Sequence, residues 1–148
     1  MLYDHLLLGN QPIEWPRIVE AVAYVESGHW TGAVGAAGER GAWQFREMTW
    51  LEISVLRQRD GLTTAPFIRA HDPLTSWLYA NYWLTRLHDR LHLALRRPPT
   101  VEQLYCAHNL GLRGFAQRGY RVSQVPAVTK RALARLREYL KHEPKHPQ

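Results

Sequence analysis

The chain has one cysteine, Cys106, so it forms no intrachain disulfide and no cysteine-based zinc site, and its compartment stays open. It has no apolar run near the roughly 20 residues that a bilayer span needs. The first ten residues hold no basic leader and only the short apolar run Leu6 to Leu8, so they do not read as a secretory signal. Internal repeats, linkers and low-complexity tracts are absent too. What is present is a globular composition: 148 residues, 45% hydrophobic and 22% charged, with 6 Trp, 7 Tyr and 3 Phe. That mixture excludes a disordered or fibrous chain, and the length fits a single domain, 1–148, with one core.

The net charge of +6 is unevenly placed. Residues 113–148 carry nine Lys or Arg against Glu138 and Glu143, whereas residues 1–112 are close to neutral. A basic end suits a polyanion such as nucleic acid, anionic lipid or an acidic wall polymer, and it equally suits a solvated helix face with a charged tail.

The pattern is helical nearly throughout, and the fold class expected is mostly α. Pro16 suits the start of a helix, and Ile18, Val19, Val22 and Val25 recur at helical spacing until Gly28 stops it. Residues 28–46 are glycine-rich and aperiodic, a functional loop with at most a short hairpin within 31–45. Glu47–Arg59 reads as a second helix with Met48, Leu51 and Val55 as its apolar positions and Trp50 nearby. Gly61 to His71 is a connector. Asp72-Pro73 opens a long helix reaching about Arg96, with Trp77, Leu78, Leu84, Leu87, Leu91 and Leu95 inward. Pro98-Pro99 breaks it, and Thr100 with Gln103 forms a capping box for a helix ending near Gly111. After the Gly-bounded stretch 112–119, Pro126 opens a last amphipathic helix with Leu133, Leu136 and Leu140 on one side, so that 120–148 is a basic helix and tail.

One carboxyl is out of place. At about 100° per residue from Ile18, Val22 falls near 40°, Val19 near 100° and Val25 near 340°, and Glu26 falls near 80°, inside that apolar arc. Glu20 falls on the opposite, solvated side. A bare charge on the buried stripe is costly, and the negative end of the helix dipole adds to the cost. Both effects favour the protonated carboxyl, the state a general acid needs at neutral pH. A structural tie between Glu26 and an arginine under the loop fits the same position.

Tyr24-Val-Glu26-Ser27-Gly28, then Ala33-Val34-Gly35, then Gly38-Glu-Arg-Gly41-Ala-Trp-Gln44-Phe45 resembles the goose-type lysozyme and lytic transglycosylase family. The family's signature is a helix ending in Glu-Ser-Gly, a glycine-rich loop, and Gly-x-x-Gln before an apolar residue. Further on, Cys106-Ala-His108-Asn109-Leu-Gly111 resembles its Ala-Tyr-Asn-Ala-Gly segment. The segments lie in the family's order, and the resemblance covers about 18–115.

The resemblance implies a lysozyme-like helical domain with the Gly-rich loop beside a cleft for peptidoglycan glycan strands. It implies Glu26 as general acid, with Gln44 and Asn109 lining the cleft and Ser27 and Gly28 fixing the turn after the acid. For Ser27, Gln44 and Asn109, backbone capping is the competing role. His108 replaces the family's aromatic before Asn109, which changes the contact there. Trp43 and Trp30, near the loop, are candidates for stacking on sugar, with core packing as the alternative. Goose-type enzymes also carry an Asp two residues after the matching Gln, where this chain has Arg46. An inverting glycosidase needs a second carboxylate to activate water. Glu39 and Glu47 are the nearest, and neither matches the family position. A missing base favours a lytic transglycosylase, in which one Glu acts as acid and then base and leaves an anhydro-muramyl end. No metal or cofactor is implied. The alternatives are a hydrolytic muramidase and a non-catalytic wall-binding relative.

Other signals carry less. His88 and His92 have the i, i+4 spacing of zinc sites but no third ligand, so they read as polar positions on an amphipathic helix. Cys106 and His108 point apart on a helix, so Cys106 reads as core. No DNA-binding motif accompanies the basic end, so nucleic acid is not the expected partner. The expected form is a monomer acting in the cell envelope or periplasm, or delivered to the wall by a phage.

Overall fold

A computed structural model describes residues 4–142. The fold is mostly α: a hairpin of β1 (His5–Leu8) and β2 (Gln11–Glu14), then α1 (Trp15–Ser27), α2 (Glu47–Arg59), α3 (Pro73–Leu95), α4 (Val101–Ala116) and α5 (Ala127–Lys141). Short 3-10 turns occupy Phe67–His71 and Val122–Gln124. No helix among the described residues is long and apolar enough to cross a membrane. The chain divides into two compact units, one of residues up to Ala21 with those from Leu87 onward, the other Val22–Arg86. The divisions fall within α1 and within α3.

In the first unit, the Leu6–Leu8 run lies in a strand. Leu6 pairs with Ile13 and both are buried, whereas the next pair, Leu7 and Pro12, is exposed, the period of two that a half-buried hairpin requires. Gly9 takes the left-handed turn between the strands at φ 60°. α4 packs against β1 and α5. Its capping box is complete: Thr100 Oγ1 accepts from Gln103 N–H at 3.1 Å, and Gln103 Oε1 accepts from Thr100 N–H at 3.0 Å. Gly111, at φ 76°, breaks the helical run where an end was expected, and the chain winds on to Ala116. α5 buries Leu133, Leu136 and Leu140, and keeps Lys130, Arg131, Arg135 and Lys141 in water. Arg137 reaches across to pair with Glu102 on α4. The basic face is exposed as far as residue 142, as both a polyanion-binding and a plain solvated face require; the remaining tail lies outside the described residues.

Cys106 of this unit is fully buried, and burial followed by the Glu102 charge pushes its thiol up to about 12, so it behaves as core. His88 departs from its expected place. It is not a polar surface position but 1% exposed, edge-on to Trp15, and of the two histidines only His92 is exposed. Burial, then the nearby His92 charge, holds His88 down to about 4. No group of three or more His, Cys, Asp or Glu able to hold a metal occurs among the described residues.

The second unit is organised around Trp50. Its indole stacks on Tyr79 with ring centres 3.7 Å apart, meets Phe45 edge-on at 5.6 Å, and donates from Nε1 to the Ala65 carbonyl at 2.9 Å. The Tyr79 hydroxyl pairs with Ser54 Oγ at 2.6 Å and accepts from Ala65 N–H at 3.0 Å, so α2, the connector and α3 share one set of bonds. α2 has the expected bounds but the opposite face: Trp50, Ile53, Leu56 and Arg57 are buried, while Met48, Leu51 and Val55 are exposed. The expected stripe lost because the large rings at 50 and 79 set the rotation of the helix. Asp72 caps α3 as its sequence promised, accepting from Thr75 N–H at 2.9 Å and Thr75 Oγ at 2.7 Å. Tyr79 and Ala80 join the buried positions of α3, while Trp77 and Leu78 are half-buried.

Candidate functional site at the end of helix one

α1 ends where the sequence places the acid. Gly28 N–H donates to Tyr24 O at 2.8 Å, and Gly28 then turns to φ 65°, a conformation open to glycine at no steric cost. Glu26 stands in the last turn beside buried Val22 and Val25 and is itself half-buried. Ser27 anchors the turn after the acid: its Oγ donates to Ala42 O at 2.7 Å, lies 3.2 Å from Ala23 O, and accepts from Trp30 N–H at 3.1 Å. The hydroxyl thus ties the helix end to the far side of the Gly-rich loop, the backbone-capping role.

The loop itself is neither strand nor plain connector. Arg40 makes isolated bridges with Val34 and Phe45, and the turns are closed by Gly35 N–H to Glu39 O at 2.8 Å and Gly41 N–H to Ala33 O at 2.9 Å. Gln44 sits at φ 52°, and its amide nitrogen donates to Gly41 O at 2.9 Å and Ala33 O at 3.3 Å. That nitrogen braces the loop. Glu39 folds back the same way: Oε2 accepts from Ala37 N–H at 3.2 Å, and Oε1 lies 3.8 Å from Arg46 Nε. Glu39 and Gln44 meet over Gly35, where a Cβ would stand 2.0 Å from Glu39 Oε2 and 2.7 Å from Gln44 Oε1. A side chain at position 35 would require the Glu39 carboxyl and the Gln44 amide to move aside.

The two tryptophans separate. Trp43 is 6% exposed, so as a stacking candidate it is corrected: its ring is buried rather than presented to a sugar. Trp30 is 65% exposed. Glu47, the other second-carboxylate candidate, is exposed in the first turn of α2.

Asn109 and His108 belong to the other unit, on α4. Asn109 Oδ1 accepts from Thr129 Oγ at 2.8 Å, and its Nδ2 lies 3.4 Å from the Tyr105 hydroxyl, so the amide links α4 to α5. His108 is half-buried, its ring 6.4 Å from that of Tyr105.

No family model, no curated protein and no solved structure matches the chain.

One feature of the second unit had no signal in the sequence. A cavity of about 300 Å³ opens between the end of α2, the connector and the start of α3, with Arg57 in its wall. Arg57 stands in the last turn of α2, where an arginine normally complements the helix dipole from the surface. Here it is 6% exposed.

Proposed function

We propose that the protein is a peptidoglycan lytic transglycosylase in which Glu26 acts as general acid and then as general base. The observation that carries this reading is the combination at the end of α1. A half-buried Glu is followed by a serine that ties the helix end to a Gly-rich loop, and that loop is itself braced by the Gln of its Gly-x-x-Gln. A carboxyl in that setting is partly shielded from water and held on a fixed backbone, the two properties that proton transfer to a glycosidic oxygen requires. Glu26 protonates the oxygen linking MurNAc to GlcNAc, and the muramyl N-acetyl group assists departure. The Glu26 carboxylate then takes the proton of the muramyl 6-hydroxyl as that oxygen closes onto the anomeric carbon. The proton given in the first step is recovered in the second, and no water is consumed.

The occupancy of position 46 supports the transglycosylase over a hydrolase. Where goose-type lysozymes carry an Asp, this chain has an exposed arginine that pairs with Glu39. A cation at that place cannot activate water as a base. The test is Glu26→Gln assayed on purified peptidoglycan: lysis falls by at least the usual 10²–10⁴-fold of a lost acid, about two orders of magnitude or more, with an unchanged melting profile. Retention of more than about a tenth of the activity rejects Glu26 as the acid.

A further inference from the structure

The cavity at Arg57 has the chemistry of an anion site. A guanidinium carries five N–H donors in a fixed fork. In Arg57 the Nε donor makes one well-formed bond, to Thr63 O at 2.9 Å. Nη1 and Nη2 reach Leu78 O and Thr63 Oγ only at 3.5 and 3.4 Å. The ring faces of Tyr79 and Tyr82 lie 5.2 and 5.7 Å from the guanidinium carbon, which shields the charge without neutralising it. No carboxylate lies within ion-pair distance of Arg57 among the described residues. A buried cation with no carboxylate in direct contact is costly. An anion entering the cavity removes that cost.

The rest of the wall narrows the class. Thr63 and Thr64 line it, the Thr75 hydroxyl is held by Asp72, and Arg69 and Asp72 contribute opposite charges. Asp72 stays ionised, because the hydroxyl and N–H of Thr75 hold its carboxyl below the usual range. Two arginines against one aspartate leave one positive charge. A single carboxylate matches it, and a phosphate dianion meets Asp72 with a surplus negative charge. The volume admits a compound at the small end of ordinary ligand sites, which begin at about 300 Å³.

We propose that this cavity binds a small hydroxylated monocarboxylate, with the carboxylate received by the Nη edge of Arg57 and the hydroxyl by the Thr63 and Thr64 side chains. None of these residues takes part in the reaction proposed above, so the two readings stand or fall separately.

The test is a titration of the ¹⁵N-labelled full chain with sodium lactate, sodium acetate and sodium phosphate at constant ionic strength, with sodium chloride as the baseline. The Arg57 Nε–H and the Thr63 and Thr64 amides are followed. Lactate gives a saturable shift at all three, and acetate saturates at about threefold higher concentration for want of the hydroxyl bond. Phosphate binds more weakly than lactate. Arg57→Lys keeps the charge but loses the fork, and weakens lactate by about tenfold or more. Arg69→Gln, at an exposed position, weakens it by about two- to fourfold, and serves if the Arg57 variant does not fold. Shifts with lactate no larger than with chloride, or confined to arginines outside the cavity, overturn the site. Phosphate binding as tightly as lactate overturns the monocarboxylate class.

Discussion

Arg46 Nε lies 3.8 Å from Glu39 Oε1, so the residue standing where a second carboxylate was sought is a cation that engages the nearest candidate for that role. Glu39 also accepts the Ala37 N–H, and its side chain is only 19% exposed. Its oxygens serve the loop. Glu39→Gln and Glu47→Gln therefore each lose less than about tenfold in wall-lysis rate, below the usual range for a lost acid or base. A loss of a hundredfold or more in Glu39→Gln, measured on purified walls, restores it as a water-activating base.

Gly41 and Gly38 form a matched pair for testing what the loop requires. Both are left-handed, at φ 81° and 83°. A Cβ at Gly41 would stand 2.0 Å from the Ala70 carbonyl oxygen, whereas a Cβ at Gly38 meets nothing within 4 Å. Gly38→Ala costs the left-handed penalty alone, about 1–2 kcal/mol, and Gly41→Ala costs clearly more. Chemical denaturation of the two variants checks this; equal losses mean the backbone relaxes around position 41.

His88 makes stability depend on pH in a defined window. Its ordinary value is 6.5 and the folded chain holds it at about 4. Between those values the unfolded chain binds a proton at this ring that the native state does not. Its contribution is therefore full above pH 6.5 and is lost as pH falls toward 4, by up to about 3 kcal/mol for a shift of this size. An NMR titration of the ring should show no protonation until pH approaches 4. A midpoint near 6.5 contradicts it.

Much of the fold is legible in the sequence, and the failures have physical causes. Caps written in the local sequence read correctly: the side chains of Asp72 and of Thr100 with Gln103, and the left-handed backbone of Gly28, mark boundaries through local bonds that need no tertiary context. The hairpin 5–14 escapes notice although Gly9-Asn10 lies between Leu6 and Ile13 in a period of two, because the helical pattern around it dominates. The face of α2 misleads because its exposed apolar residues form a better stripe than its buried ones, and the Trp50–Tyr79 stack joins positions far apart in sequence. At the candidate site, Ser27 and Gln44 fall in the right segments, but their bonds to Ala42, Ala33 and Gly41 arise from loop closure. Arg57 gives no signal, since nothing in α2 distinguishes a buried arginine from a dipole-facing one.

The measurement that bears most directly on the proposed function is mass analysis of the muropeptides released when the purified protein digests intact peptidoglycan. One carboxyl acting as acid and then base, with no water in the reaction, predicts chains ending in the 1,6-anhydro muramyl sugar, and no such product with Glu26→Gln. Products ending in reducing sugars mean that water is the nucleophile and contradict the transglycosylase. An undigested wall contradicts the enzyme altogether.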